Sequence, residues 1–271
     1  LAPEASGRGA SGAEVTLSEL DGVRYLHFGT EWVQGAMQLA HPYRLELEYQ
    51  QQMMAPLLFV PEPVDVLQLG LGAAALTKFC HRNLRSSRIT AVELSPQVIR
   101  VARQWFALPP DDPRLRVVQA DAGRYLRDAN RRAPGTVDWL QVDLYDARAR
   151  GPVLDDAGFY RDCRRALRAG GVAAFNLFGS SLRPSLSRIK LAFGSAWLRL
   201  PRSAAGNTVV LAFAAATAWD GALLQRRAQR MEQRFGLPVL DWLAGIRTAS
   251  SRLLLDSPMA AGPEPLPEAP L

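Results

Sequence analysis

Cysteine and histidine are both scarce in this chain, and each scarcity removes a class of function. The two cysteines, Cys80 and Cys163, lie far apart with no partner pattern around them. That argues against a disulfide framework or a zinc site and fits a reducing compartment. The three histidines, His27, His41 and His81, show no ligand spacing, so no catalytic metal is expected. No apolar run approaches the roughly 20 residues a membrane span needs, and no secretory leader pattern is visible. The expected location is cytoplasmic, with no membrane partner. The net charge of +6 raises the question of nucleic acid. Yet the arginines are spread through helical segments (Arg100, Arg103, Arg161, Arg164, Arg165, Arg226, Arg227 and Arg230), as solvated faces are. A basic stripe interleaved with aromatics is missing, so no nucleic-acid partner is expected. No internal repeat occurs.

What is present is a chain of 271 residues, 48% apolar, enough to bury a full core without staples. Residues 1–13 are rich in Gly, Ala and Ser, and residues 256–271 in Pro, Ala and Glu. Both read as disordered tails. Residues 14–38 are β-like: EVTLSEL and VRYLHFG flank Asp21-Gly22, a strong hairpin signal. A further strand is expected within 32–39 and a helix over 44–58, ending before Pro61 and Pro63. The texture then changes. VDVLQLGLG, RITAVEL, RLRVVQAD, VDWLQVDLYD and GVAAFNLF read as strands. They alternate with helices in AALTKFCHRNL, SPQVIRVARQWF, AGRYLRDA and AGFYRDCRRAL, the last closed by Ala169-Gly170-Gly171. Ser95 is placed to cap its helix, with Pro96 at the first turn. A second run of helix, two strands and two helices follows. Alternation of this kind implies an α/β fold with a parallel sheet and right-handed crossovers. The domain reading is a tail to 13, a β-unit with a linking helix over 14–60, a catalytic α/β domain over 61–255 and a second tail.

Ligands of open parallel sheets bind beyond the carboxyl ends of the strands, and four such ends carry suggestive residues. The first holds Gly70 and Gly72, which let backbone approach a ligand, although such glycines also serve plain tight turns. The second holds Glu93, 23 residues after Gly70. An acid there suits a ribose diol, and the competing role is helix initiation before Ser95. The third holds Asp121-Ala122, where the carboxylate suits an adenine amine or a helix N-cap. The fourth holds Asp143 and Asp146. Paired carboxylates leaving a buried strand suit a cation: they can hold an ammonium, and one can take its proton. Loop solvation and capping are the competing roles. The stretch ARARGPVLDDAGFY that follows reads as a lid and then a helix. Residues 70–75 lack a third glycine in the usual dinucleotide place, which disfavours a nicotinamide enzyme.

VLQLGLGAAALTKF, AVELSPQVIRVARQWF, DPRLRVVQADAGRYL, VDWLQVDLYD and GFYRDCRRALRAGGVAAFNL resemble, in order and spacing, the successive motifs of the spermidine and spermine synthase family. LDGVRYLHFGTEWVQGAM resembles its N-terminal β-domain and LEYQQQMM its Tyr-containing helix; the likeness spans about residues 14–215. It implies a Rossmann-like S-adenosylmethionine-dependent methyltransferase fold with a small N-terminal β-domain. It also implies aminopropyl transfer from decarboxylated S-adenosylmethionine, as co-substrate, to an amine such as putrescine. Under that resemblance Asp143 matches the general base, and Asp146 and Tyr49 match residues that hold the diamine. Gln34 and Gln50 match positions lining the cofactor and amine sites. Glu93 matches the ribose acid, and Asp121 with Ala122 the adenine contact, beside Gly70 and Gly72. The family resemblance also implies a small-molecule amine partner, a homodimer and no metal.

Three positions depart from the family pattern. Ala73 stands where an acid usually helps receive the propylamine, so weaker discrimination against intact S-adenosylmethionine is expected. Leu144-Tyr145-Asp146 replaces a Ser-Asp-Pro-like stretch, and Ser203 falls where a late aromatic is usual. Two other readings stay open: a small-molecule methyltransferase using S-adenosylmethionine, and a catalytically silent nucleoside-binding relative. Nucleic-acid methyltransferase signatures (Asn-Pro-Pro-aromatic or Asp-Pro-Pro-aromatic) are missing.

Overall fold

The computed structural model describes residues 15–145, 152–179, 182–216 and 218–249. Both expected tails, Asp146 and the start of the lid-like stretch lie outside the described residues.

The chain opens as a three-stranded antiparallel sheet of β1 (Val15–Leu20), β2 (Val23–Phe28) and β3 (Gly35–Gln38). Leu20 pairs with Val23, so Asp21 and Gly22 alone make the turn. Their φ values of 51° and 77° give the mirror-image turn that matches strand twist. The inner face of this sheet offers Val15, Leu26 and Met37, which pack on Ala73, Val98 and Phe106 of the larger unit.

The larger unit is a seven-stranded sheet. Its strands are β4 (Asp65–Leu69), β5 (Arg88–Glu93), β6 (Leu115–Gln119), β7 (Val137–Val142), β8 (Leu167–Phe178), β9 (Trp197–Arg199) and β10 (Asn207–Phe213). The spatial order is β6-β5-β4-β7-β8-β10-β9. The strands from β6 to β8 in that order are parallel, while β10 runs antiparallel to both its neighbours. The expected parallel alternation is therefore present, with an antiparallel edge added. Side chains alternate between two cores: Trp139 and Leu211 point to one, Leu140 and Val210 to the other. The helices that cover them are α1 (Glu48–Gln52), α2 (Ala75–Asn83), α3 (Pro96–Trp105), α4 (Ala122–Arg132), α5 (Ala157–Ala166), α6 (Arg183–Phe193), α7 (Gly221–Phe235) and α8 (Val239–Ala249). Ser95 caps α3 as expected, its hydroxyl accepting from Val98 N at 3.3 Å. No described helix is long and apolar enough to cross a membrane.

Two elements differ from the sequence expectation. The helix expected over 44–58 is two short pieces, α1 and a 3-10 turn at Ala55–Leu58. Pro56 has no N–H to continue the ladder and restrains the residue before it. The apolar periodicity there misleads because Met53, Met54, Ala55, Leu57 and Leu58 are buried on every side. Residues 169–171 do not close α5, which ends at Ala166; they lie within β8. The pairing with β7 is irregular between Val137 and Trp139, and a Cβ on Gly171 would come within 2.8 Å of Val137 O. The glycines thus serve an irregular strand, not a helix stop.

Two buried polar arrangements tie the elements together. Gln68 on β4 donates to Gln141 on β7 at 2.5 Å and accepts from Thr77 on α2 at 2.7 Å. Gln141 in turn donates to Met53 O at 3.4 Å, just past α1. Lys78, buried on α2, donates through Nζ to Phe106 O at 2.7 Å, at the end of α3.

The contact between the two sheets explains one departure from the family pattern. Ala73 is buried among apolar side chains, and a Cβ on Gly35 of β3 would come within 2.5 Å of its own Cβ. Its side chain faces β3 and lies behind the cavity wall, not on it. A carboxylate there would be buried among Val15, Leu26, Met37, Val98 and Phe106. Ala73→Asp is expected to lose at least about 2 kcal/mol of stability, read as a lowered denaturation midpoint. Ala73→Gly should cost about 1 kcal/mol at most. Equal midpoints for Ala73→Asp and wild type would show that the contact tolerates an acid.

Candidate active site

The carboxyl ends of β4, β5, β6 and β7 meet at one edge, and Gly70, Glu93, Asp121 and Asp143 line a single cavity of about 600 Å³ there. The glycine loop is shaped by close approach. Gly70 has φ +95°, and a Cβ on it would lie 2.1 Å from the Asp143 carbonyl oxygen. Gly72, at φ +51°, faces the Gln34 carbonyl, 3.3 Å from where its Cβ would be. The N-terminal β-unit therefore covers the loop directly, and Gln34 joins the cavity wall.

One side of the cavity is built by backbone amides and two acids, Glu93 and Asp121. Glu93 accepts from Leu71 N at 3.1 Å and from Ser95 N at 2.9 Å. Its carboxylate thus bridges the glycine loop and the start of α3. Burial pushes its pKa up, and these amides pull it back. Asp121 caps α4, with Oδ1 accepting from Arg124 N at 2.7 Å, and it also lines the cavity with Ala122. The capping and ligand roles weighed for Asp121 are compatible, since a carboxylate has two oxygens.

The other side is organised around Asp143. Tyr49 donates to Asp143 Oδ2 at 3.3 Å, and Asn176 Nδ2 donates to Oδ1 at 2.9 Å. Asn207 Nδ2 supports Asn176 Oδ1 at 3.0 Å, and Tyr145 donates to Asn176 O at 2.9 Å. Burial raises the Asp143 pKa, opposed by the Asn176 and Tyr49 hydrogen bonds. Tyr49 is itself raised well above its usual value, by burial and then by the Asp143 charge, so it stays a hydroxyl donor. Gln141 on β7 and Asp143, just past its end and on the same face, thus meet residues four apart, Met53 and Tyr49. These two rungs lock α1 onto the strand that carries the acid.

Not every expected residue reaches the wall. Gln50 is buried behind Tyr49, donating to its hydroxyl at 3.4 Å. Ser203 is also buried. Its hydroxyl accepts from Asn207 N at 2.9 Å in the turn between β9 and β10. Asp146 lies outside the described residues. Sequence reasoning missed Asn176, Asn207 and Glu48, all of which line the cavity. The two asparagines were detectable in principle. Each is an amide residue at the active end of a largely apolar strand; β10 begins at that end because it is antiparallel.

The wall has a one-sided charge. Among the described residues it presents the carboxylates of Glu31, Glu48, Glu93, Asp121 and Asp143, and no Lys, Arg or His side chain. At the mouth, exposed Trp32, Val33, Leu94 and Val153 form an apolar rim. Trp32 meets Phe178 edge-on, with ring centroids 6.0 Å apart.

A parallel sheet with an antiparallel edge, a glycine loop and acids at successive strand ends define a Rossmann-like fold of the S-adenosylmethionine-dependent methyltransferase type, with a transferase site at its switch edge. Residues 46–176 match the family model described as Spermine/spermidine synthase domain. A polyamine aminopropyltransferase of Chromobacterium violaceum is 34% identical over 229 residues, covering 83% of this chain and 85% of that protein. The chain belongs to the spermine/spermidine synthase family and is a transferase of the aminopropyl-transferring class. Among solved structures, a probable spermidine synthase from Corynebacterium glutamicum aligns with TM-score 0.71 at 17% identity, over 97% of this chain and 99% of that one. Human methyltransferase-like protein 13 in complex with SAH aligns with TM-score 0.63 at 25% identity, over 71% and 94%.

The Gly70 contact is testable against a glycine that has strain but no neighbour. Gly22 has φ +77°, and nothing lies within 4 Å of the position its Cβ would take. Gly22→Ala should cost about 1 kcal/mol. Gly70→Ala should cost at least about 2 kcal/mol more, because backbone must move. Equal losses in denaturant titrations would show that the approach to Asp143 carries no weight.

Proposed function

We propose that this protein transfers an aminopropyl group from decarboxylated S-adenosylmethionine to a diamine such as putrescine. The observation that carries this reading is the cavity wall: carboxylates without a cationic side chain among its described residues. A donor bearing a sulfonium and an ammonium, and an acceptor bearing two ammoniums, both suit such a wall. The carboxylate of intact S-adenosylmethionine would find no cation on it. Ala73 does not alter this balance, since it lies behind the wall.

Roles follow from placement. Glu93 accepts from the ribose hydroxyls while keeping one loop amide, and the asymmetric surroundings of Asp121 leave its second oxygen for the adenine amine. Gly70, Gly72, Gln34 and Ala122 shape the space for the nucleoside. Asp143 is the base. An alkylamine is protonated at neutral pH, with a reference pKa of about 10, so it must lose a proton before it attacks. Asp143 takes that proton. The freed nitrogen lone pair forms a bond to the carbon beside the sulfonium, the carbon–sulfur bond breaks, and its electron pair stays on sulfur as a neutral thioether. Burial aids Asp143 because a raised pKa narrows the gap to the ammonium. Tyr49, Asn176 and Gln50 fix the direction of its oxygens, and positioning supplies much of the rest.

Asp143→Asn keeps the shape and removes the base. Turnover with putrescine should fall about 10²–10⁴-fold, while affinity for methylthioadenosine stays near wild type by calorimetry. The pH profile gives a second reading. The active form is the ionised one, and its pKa is raised from the ordinary 3.8. The acid limb of kcat/KM should therefore lie above that value, with activity falling as pH drops through it, and should vanish in Asp143→Asn. Full turnover in that variant would move the base elsewhere. Methyl transfer by wild type, with no aminopropyl transfer, would favour the methyltransferase reading.

A further inference from the structure

We infer that Glu48 is a specificity-determining carboxylate that pairs with the distal ammonium of a diamine acceptor. The inference rests on the aminopropyl-transfer reading and deepens it by naming the second contact of the acceptor. The sheet divides the cavity's carboxylates. Glu93 and Asp121 end β5 and β6, on the nucleoside side, and Asp143 takes the attacking nitrogen. A diamine that reacts at one end carries a second charge away from that point, and a carboxylate there can pair with it; Glu48 is exposed at the open end of the cavity. Glu48 is the next residue to Tyr49, whose hydroxyl already marks the acceptor side by donating to Asp143. It lines the same cavity as Ala205 and Asn207.

Glu48 is also fixed in place. Its Oε2 accepts from Ala204 N at 2.7 Å, across 156 positions of sequence. The turn that supplies this amide is itself closed: Ser203 N donates to Asn207 O, Gly206 N to Ser203 O, and Asn207 N to the Ser203 hydroxyl. Small residues, Ser203, Ala204 and Ala205, occupy the stretch where the family pattern has a bulky aromatic. The wall there offers a carboxylate held by backbone in place of a ring. Glu31, the remaining wall carboxylate among the described residues, sits in the loop between β2 and β3, next to the exposed Trp32, and so marks the mouth.

Glu48→Gln tests charge without removing the anchor, since the glutamine carbonyl still accepts from Ala204 N. The variant should melt as wild type does. Its KM for putrescine should rise about tenfold, with kcat and methylthioadenosine affinity near wild type. Butylamine, which has a single ammonium, serves as the control and is measured as a competitor of putrescine: its inhibition constant should be the same in both proteins. An unchanged KM for putrescine in Glu48→Gln would overturn the inference. So would an equal loss for butylamine, which would mean that Glu48 only shapes the wall. If wild type transferred to no diamine while binding methylthioadenosine, the underlying functional reading would fall first, and this assignment with it.

Discussion

The site depends on one close contact: the carbonyl of Asp143 occupies the space that a side chain on Gly70 would fill. Two parallel strands end here side by side, and the missing Cβ lets their ends touch. One consequence is at the glycine loop, which turns away and presents Leu71 N to Glu93. The other is at Asp143, whose carboxylate meets Tyr49 at 3.3 Å and Asn176 at 2.9 Å. The glycine loop and the Asp143 carboxylate are thus placed by the same contact. The proposed transfer needs that coupling, because the two reacting atoms must meet within a narrow range of distance and angle.

The electrostatics follow from where the carboxylates come from. They are contributed by separate segments: the loop before β3, α1, and the ends of β5, β6 and β7. Each is held by its own backbone or amide partner where a partner is seen, as Glu48 is by Ala204, Glu93 by Leu71 and Ser95, and Asp121 by Arg124. Local anchoring keeps like charges apart without a cation between them. The result is a site that prefers positive ligands while its own repulsion is spread over the wall.

Much of this was legible in the sequence because it is local. A strand ending in glycines, an acid 23 residues on, and a Ser-Pro helix start are each written within a few residues. They place Gly70, Glu93, Asp121 and Asp143 at one edge. What was not legible is contact between distant segments. Ala73 reads as a lost acid until Gly35 is seen against it, and then reads as the small partner that lets the N-terminal sheet dock. Glu48 has no motif to mark it until the Ala204 amide appears beside it. The failed helix over 44–58 has a similar origin. An apolar pattern says that residues are buried, and in this segment burial on all sides erases the periodicity that separates helix from turn.

Lys78 carries a consequence for the acid–base behaviour of the whole molecule. Burial on α2 lowers its pKa to about 7 from the ordinary 10.5. Between those values the unfolded chain keeps a proton that the folded chain gives up, so this residue makes the fold more stable as pH rises through that interval. Below about 7 both states hold the proton, and the fold bears the cost of a buried ammonium, eased by the Phe106 carbonyl. The buried thiols of Cys80 and Cys163, whose pKa values burial pushes up, act in the opposite sense, because the unfolded chain gives up those protons first as pH rises.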